Sequence, residues 1–229
     1  MMNDQRSHFH EELAALEQTL VDMSERAAQA VNMAVEAVVT PDLEAAARVL
    51  QTDVQIDRLY FEVHNRWLLL MARQQPMASD LRLMSAMLHL NTTIERMGDQ
   101  AVNIAKMAQV THGLPRSERI VSQIRELGDL VRPMVRTAME AFVRRDLDET
   151  RLLPAMDEPI DRINRRMAHE VVACRDDPEL LEWATRMLLV SRALERIGDQ
   201  SVDIAEQTAF YLTGELAEFD EKGLGGVKA

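Results

Sequence analysis

The residues with the most chemical potential fall in two short acidic blocks, Glu95-Arg96-Met97-Gly98-Asp99-Gln100 and Glu195-Arg196-Ile197-Gly198-Asp199-Gln200. In each block two carboxylates stand four residues apart, on one face of a helix, and the same face continues to Asn103 in the first block and Asp203 in the second. Like charges at that spacing repel by a few tenths of a kcal/mol, so a face that is only solvated would more naturally alternate its signs. The pattern expects a positive partner. Upstream of each block stands a complementary pair, Asp53 with Asp57 and Asp157 with Asp161, again four apart. If antiparallel packing sets each pair beside its block, the result is an all-oxygen cluster suited to hard or borderline cations, with positions left for water or an anion. One cation site per half is therefore expected, on the outer surface. Its ligands are drawn from Asp53, Asp57, Glu95, Asp99 and Asn103 in the first half and from Asp157, Asp161, Glu195, Asp199 and Asp203 in the second.

A single acidic helix stripe is ordinarily just solvated. What favours a role here is recurrence, together with Gly98 and Gly198, each of which costs a helix interior about 1 kcal/mol. A glycine kept there suggests that something approaches the backbone closely, although helix packing alone is an alternative. Arg96 and Arg196 are available to pair with neighbouring carboxylates. His64 lies on the side of Asp53 and Asp57, but its counterpart is Ala168, and a partly buried histidine is the default. The methionines Met84, Met87 and Met97 read as core filler. Cys174 has no second cysteine and no paired histidine in view, so an incidental thiol is expected. No phosphate-binding loop, His-Glu-x-x-His or Gly-x-Ser-x-Gly occurs. A carboxylate-lined di-iron oxidase would need Glu-x-x-His pairs aimed into the core. No histidine here follows a glutamate by three.

Long helices must position these residues. Glycine and proline together are scarce, 8 and 7 in 229 residues, against roughly 27 at average usage, too few turn-makers for an ordinary sandwich or barrel. An all-α fold of few, long elements remains. Apolar residues recur at three and four through six segments. The first helix runs from about His8 to Val39; the second opens at Thr40-Pro41 and continues to about Gln74, before Gln75-Pro76. Ser79-Asp80 is expected to cap the third, which reaches about His112 and the break at Gly113-Leu114-Pro115. The fourth ends near Arg145, Asp146 with Glu149 reads as a capping box for the fifth, and Asp177-Pro178 starts the sixth, which stops near Gly214. In the third helix Leu90, Ile94, Met97, Ala101 and Ile104 form the core stripe, which sets Glu95, Asp99 and Asn103 roughly 180° away from it. Asp53 and Asp57 lie roughly 90° from the stripe of Ile56, Leu59, Val63 and Trp67, where they can lean toward a neighbour.

The arrangement is internally repeated. Ala34-Val35-Glu36-Ala37-Val38-Val39 aligns with Ala138-Met139-Glu140-Ala141-Phe142-Val143 at an offset of 104, which also carries Asp53 and Ile56-Asp57-Arg58 onto Asp157 and Ile160-Asp161-Arg162. The acidic blocks repeat at an offset of 100. Two tandem three-helix bundles follow, over residues 1–113 and 114–214, with 215–229 as a disordered tail. The balance of 26 basic against 38 acidic residues, net −12, opposes affinity for nucleic acid or an anionic bilayer. The longest apolar run, Trp67 to Ala72, is too short to insert in a membrane, and a single cysteine asks for no oxidising compartment, so a cytoplasmic protein is expected.

Gln75-Pro76-Met77-Ala78-Ser79-Asp80-Leu81-Arg82, followed by Ile94-Glu95-Arg96-Met97-Gly98-Asp99-Gln100-Ala101-Val102-Asn103-Ile104-Ala105, resembles the first signature of the PhoU family of phosphate-signalling regulators. Leu194 to Glu206, ending at Thr213-Gly214-Glu215, resembles the second. Met97 stands where isoleucine is commoner, and Gln100 and Gln200 where histidine is common. The resemblance implies repeated three-helix bundles with surface clusters of iron or zinc on Glu95, Asp99, Glu195 and Asp199. Other divalent cations also suit those ligands. It further implies a cytoplasmic, homodimeric, non-catalytic adaptor. Such an adaptor restrains the phosphate-starvation response by linking the ATPase subunit of the phosphate ABC transporter to a sensor histidine kinase. Two alternatives stand beside it: a metal-dependent oxidase or hydrolase on the same carboxylates, and a purely structural scaffold whose acidic stripes only solubilise it.

Overall fold

The computed structural model describes the backbone of residues 2–216, 219–220 and 223–224, and the side chains of 7–216 and 219. Long helices dominate: α1 (Met2–Val39), α2 (Leu43–Gln74), α3 (Ser79–Val110), α4 (Glu118–Arg144), the single-turn α5 (Leu147–Thr150), α6 (Leu153–Ala173) and α7 (Pro178–Thr213). Repeated chemistry sets where they begin. Asp42 accepts from the N–H groups of Glu44 and Ala45, and its counterpart Asp146 accepts from those of Asp148 and Glu149, so an aspartate rather than Thr40 caps the second helix. Three boundaries depart from expectation. Helix α3 starts with Ala78 at its N-cap position and no side-chain cap, so Ser79-Asp80 does not cap it. The fifth helix is split, because Pro154 lacks an N–H and crowds the preceding turn, so α6 restarts with proline in its first turn. Glu149 does not close a capping box; its carboxylate takes a hydrogen bond from Arg144 at 3.2 Å.

Helices α1, α2 and α3 pack on one another, as do α4, α6 and α7, and the two groups join along α1 with α4 and α3 with α7. The third-helix stripe Leu90, Ile94, Met97, Ala101 and Ile104 has no exposed surface, and neither do Ile56 and Val63 of α2. A single hydrophobic core runs from Phe9 on α1 to Ala205 on α7. Polar bridges tie the second helix of each group to the third at corresponding places. The Asn91 amide donates to the Tyr60 carbonyl at 3.1 Å, and the Ser191 hydroxyl to Asn164 at 2.9 Å.

The last turn of α7 is closed by Gly214 in the left-handed region, φ +80°, its backbone N–H donating to the Phe210 carbonyl. Beyond it, β1 (Phe219–Asp220) pairs antiparallel with β2 (Gly223–Leu224), and Phe219 packs against the core. A wholly disordered tail does not describe those four residues. The remainder of that expectation, residues 217–218, 221–222 and 225–229, lies outside the described residues.

Candidate metal centre

The carboxylates converge where the second helix of each group crosses the third. In the second half, α6 carries Asp157 and Asp161 and α7 carries Asp199, and an oxygen from each lies within 4.8 Å of the other two. Gly198 makes this approach geometrically available. A Cβ built on it would sit inside contact distance of Asp157 Oδ1, so only glycine lets that carboxylate lie against the α7 backbone. The close approach that the glycine spacing implies is thus made by an acidic ligand candidate. Gly98 plays a milder version of the same part, with an added Cβ 3.0 Å from Ile56 Cδ1 and 3.3 Å from Asp53 Oδ1.

Electrostatics bears the cost of this crowding. The Asp157 carboxyl is pushed up to about 7, first by burial and then by the charges of Asp199, Asp161 and Glu195. Burial and then Asp161 raise Asp199, with Arg192 opposing. In the first half burial raises Asp53, followed by Asp57 and Asp99; burial also raises Glu95, followed by Asp99 and Asp57. The same four side chains therefore form a neighbourhood on α2 and α3. Among the described residues, however, no second set of three closes to the spacing of Asp157, Asp161 and Asp199.

Three expected ligands are placed differently from the rest. Glu195 is not on an outer face: it is 6% exposed and accepts a hydrogen bond from Arg192, one turn before it on α7. The third stripe members are outside the set that closes to ligand spacing, although the charge of Asp203 acts on Asp199. The Asp203 side chain is exposed, yet its carboxyl is raised by the burial it does have, against the opposing pull of Arg96 and His89 of α3. Asn103 is exposed on α3. Arg192 and Arg165, which bridges to Asp161 at 3.3 Å, were not singled out from the sequence, although i,i+3 and i,i+4 spacing marks both. His64 is half-buried with its ring 6.2 Å from Tyr60.

Two oxygens in the second cluster point to a missing positive partner. Asp157 Oδ1 and Glu195 Oε2 are buried, and neither accepts a hydrogen bond. An ionised oxygen without a partner is costly to bury. A divalent cation held by Asp157, Asp161 and Asp199 would satisfy the Asp157 oxygen, and the donor set is all carboxylate, the chemistry hard and borderline cations prefer. The residues present fit such an ion.

Comparison with known proteins agrees with this duplicated architecture. The family model described as "PhoU domain" matches residues 20–108 and again 124–208. A phosphate-specific transport system accessory protein PhoU homolog of Clostridium acetobutylicum is 30% identical over 218 residues, covering 94% of this chain and 99% of that protein. The Pseudomonas putida homolog is 33% identical over 207 residues, 90% of this chain and 81% of its own. The crystal structure of PhoU from Pseudomonas aeruginosa superposes with a TM-score of 0.85 at 31% identity, covering 90% of this chain and all of that one. The phosphate transport system regulatory protein PhoU from Streptococcus pneumoniae gives a TM-score of 0.84 at 26% identity, covering 91% and 99%.

Proposed function

Because this chain belongs to the PhoU family, and so to the accessory proteins of phosphate-specific transport, we propose that it is a cytoplasmic, metal-binding regulatory adaptor. It holds the phosphate-starvation response in check by linking the ATPase subunit of the phosphate ABC transporter to a sensor histidine kinase, and it works as a homodimer. The names of its relatives describe accessory and regulatory proteins rather than enzymes. Among the described residues no helix is long and apolar enough to cross a membrane. Contact with a membrane kinase therefore runs through protein surfaces.

The metal part of the reading rests on one observation: Asp157 Oδ1 is seated against the Gly198 backbone, buried and unpartnered, with Asp161 and Asp199 oxygens close by. Asp157, Asp161, Asp199 and Glu195 would hold the ion, and Asp53, Asp57, Glu95 and Asp99 would provide the looser first-half counterpart. A bound cation supplies positive charge that fixes α6 to α7. Iron, zinc or another divalent cation would be held by this all-oxygen set.

Protein purified without chelator should carry bound transition metal by elemental analysis, and the Asp157→Ala, Asp199→Ala double variant should lose the second-half share. Affinity capture from phosphate-replete cells should recover the transporter ATPase or the kinase. Metal-free protein at every stage would remove the metal reading. Capture of neither partner, with signalling unchanged on deletion, would remove the adaptor reading.

A further inference from the structure

Helices α1 and α4 lie side by side and leave a groove of about 750 Å³ between them, which shares no residue with the acidic clusters. Its lining is lopsided. Val21 and Ala28 of α1 and Val135 and Met139 of α4 provide an apolar strip, while Arg132, Arg136 and Arg144 stand along the α4 wall. The internal repeat serves as a control. At the 104-residue offset those three arginines correspond to Ala28, Asn32 and Thr40, all uncharged, whereas the acidic positions Glu25 and Glu36 keep their charge as Asp129 and Glu140. Helix packing did not require arginine at these places in the first copy. In a chain of net charge −12, the lining of this groove is balanced in charge, with three arginines on the α4 wall against Glu25, Asp129 and Glu140.

The arginines are 53%, 74% and 60% exposed, and their carboxylate partners sit on their own helix or just beyond its end, with Arg136 reaching Glu140 only at 3.9 Å. Arg132 also donates across the groove to Asn32 Oδ1 of α1 at 2.9 Å. Exposed pairs of this kind contribute about 0–1 kcal/mol. Exchanging them for a partner's carboxylates therefore costs little. Arg132 and Arg136 stand one turn apart on one helix face, so they match acidic residues at the same period on a second helix, while Arg144, at the end of α4, lies about 120° round from Arg132. An apolar strip between two helices takes the apolar stripe of that second helix. Glu25, Asp129 and Glu140 in the same groove work against a continuous polyanion such as a bilayer surface or nucleic acid. A peptide avoids that conflict because it places its charges singly.

We infer that the α1/α4 groove is a docking site for an acidic amphipathic helix of a partner protein, with Arg132 and Arg136 reading its carboxylates. This surface is independent of the metal reading, and metal content measured on the same samples keeps the two apart.

The test uses the full chain and a labelled synthetic helix of Leu and Glu, about five turns long, with an apolar stripe flanked by a row of glutamates, beside the same peptide with glutamine for glutamate. Fluorescence anisotropy should show the acidic peptide binding at least about tenfold tighter than the glutamine version, and progressively more weakly as salt is raised. R132E/R136E should lose about tenfold or more in affinity. Ala28→Trp, which fills the groove and leaves the arginines in place, should lose it as well. Circular dichroism checks that both variants fold. Equal binding of the two peptides, or binding untouched by either variant, overturns the proposal. It is also overturned if R132E/R136E converts a dimer to monomers in sedimentation, which makes the groove a contact between copies, or if it abolishes binding to phosphatidylglycerol vesicles while sparing the peptide, which makes it a lipid surface.

Discussion

The carboxylate of Asp157 concentrates the tension in this protein. Burial first, and then three acidic neighbours, push its pKa up to about 7 from 3.8. The folded state therefore keeps a proton that the unfolded chain has already released. Between those two values the folded state binds more protons, so this group's contribution is fully present below the unfolded value and is lost as pH rises toward neutrality. Metal-free protein should accordingly show a melting temperature that falls, relative to Asp157→Asn, as pH is raised from about 4 to 7. At pH 7.5 the Asn variant should melt about 2–4 °C higher without metal, and it should lose the stabilisation that a saturating cation gives the parent protein. Identical pH profiles for the two proteins would show that Asp157 is not under this pressure.

At the scale of elements, α6 and α7 are brought together by a glycine whose helix propensity argues against it. Replacing a helical glycine with alanine ordinarily stabilises by roughly 1 kcal/mol. At Gly198 the added methyl group meets Asp157 Oδ1, so the aspartate must withdraw; at Gly98 it meets mainly the flexible end of Ile56. Gly198→Ala should therefore weaken cation binding by about tenfold or more (about 1.4 kcal/mol), read by titration calorimetry, whereas Gly98→Ala should change cation binding far less. Equal effects at the two positions would mean that the glycines serve helix packing in general. The helical elements themselves are legible in the chain, because an apolar stripe and a polar cap are local signals, the cap being an aspartate before α2, α5 and α7 and Ser117 before α4. The split before α6 was visible as Pro154, yet the expectation of one continuous fifth helix gave it too little weight.

The whole molecule joins two copies of one design into one core. No break in buried apolar contact separates α1–α3 from α4–α7, since α1 with α4 and α3 with α7 complete it. Each half has one tryptophan, half-buried Trp67 and nearly inaccessible Trp183. With one core the two should report a single urea transition: Trp67→Phe and Trp183→Phe variants, each retaining one reporter, should show coincident fluorescence and circular dichroism midpoints after allowance for the substitution itself. Two separated midpoints would show that the halves unfold independently. Arg116 reinforces the junction. It donates to the Val38 and Val39 carbonyls at the end of α1, 2.8 Å each, and lies over the Trp183 ring.

The sequence by itself determined the helices, their apolar faces, the duplication and the acidic positions on each helix, because all of these follow from residue spacing along a structure that turns 100° per residue. What tertiary structure decided is how far each side chain lies from residues on other helices. It drew Asp157, Asp161 and Asp199 together while leaving the equivalent first-half residues looser, and it buried Glu195. It also set Asp203 within electrostatic reach of Arg96 and His89 on α3. Helical periodicity fixes the direction in which a side chain leaves its own axis. Depth and distance depend on how closely two axes approach, and that is set by every side chain packed between them.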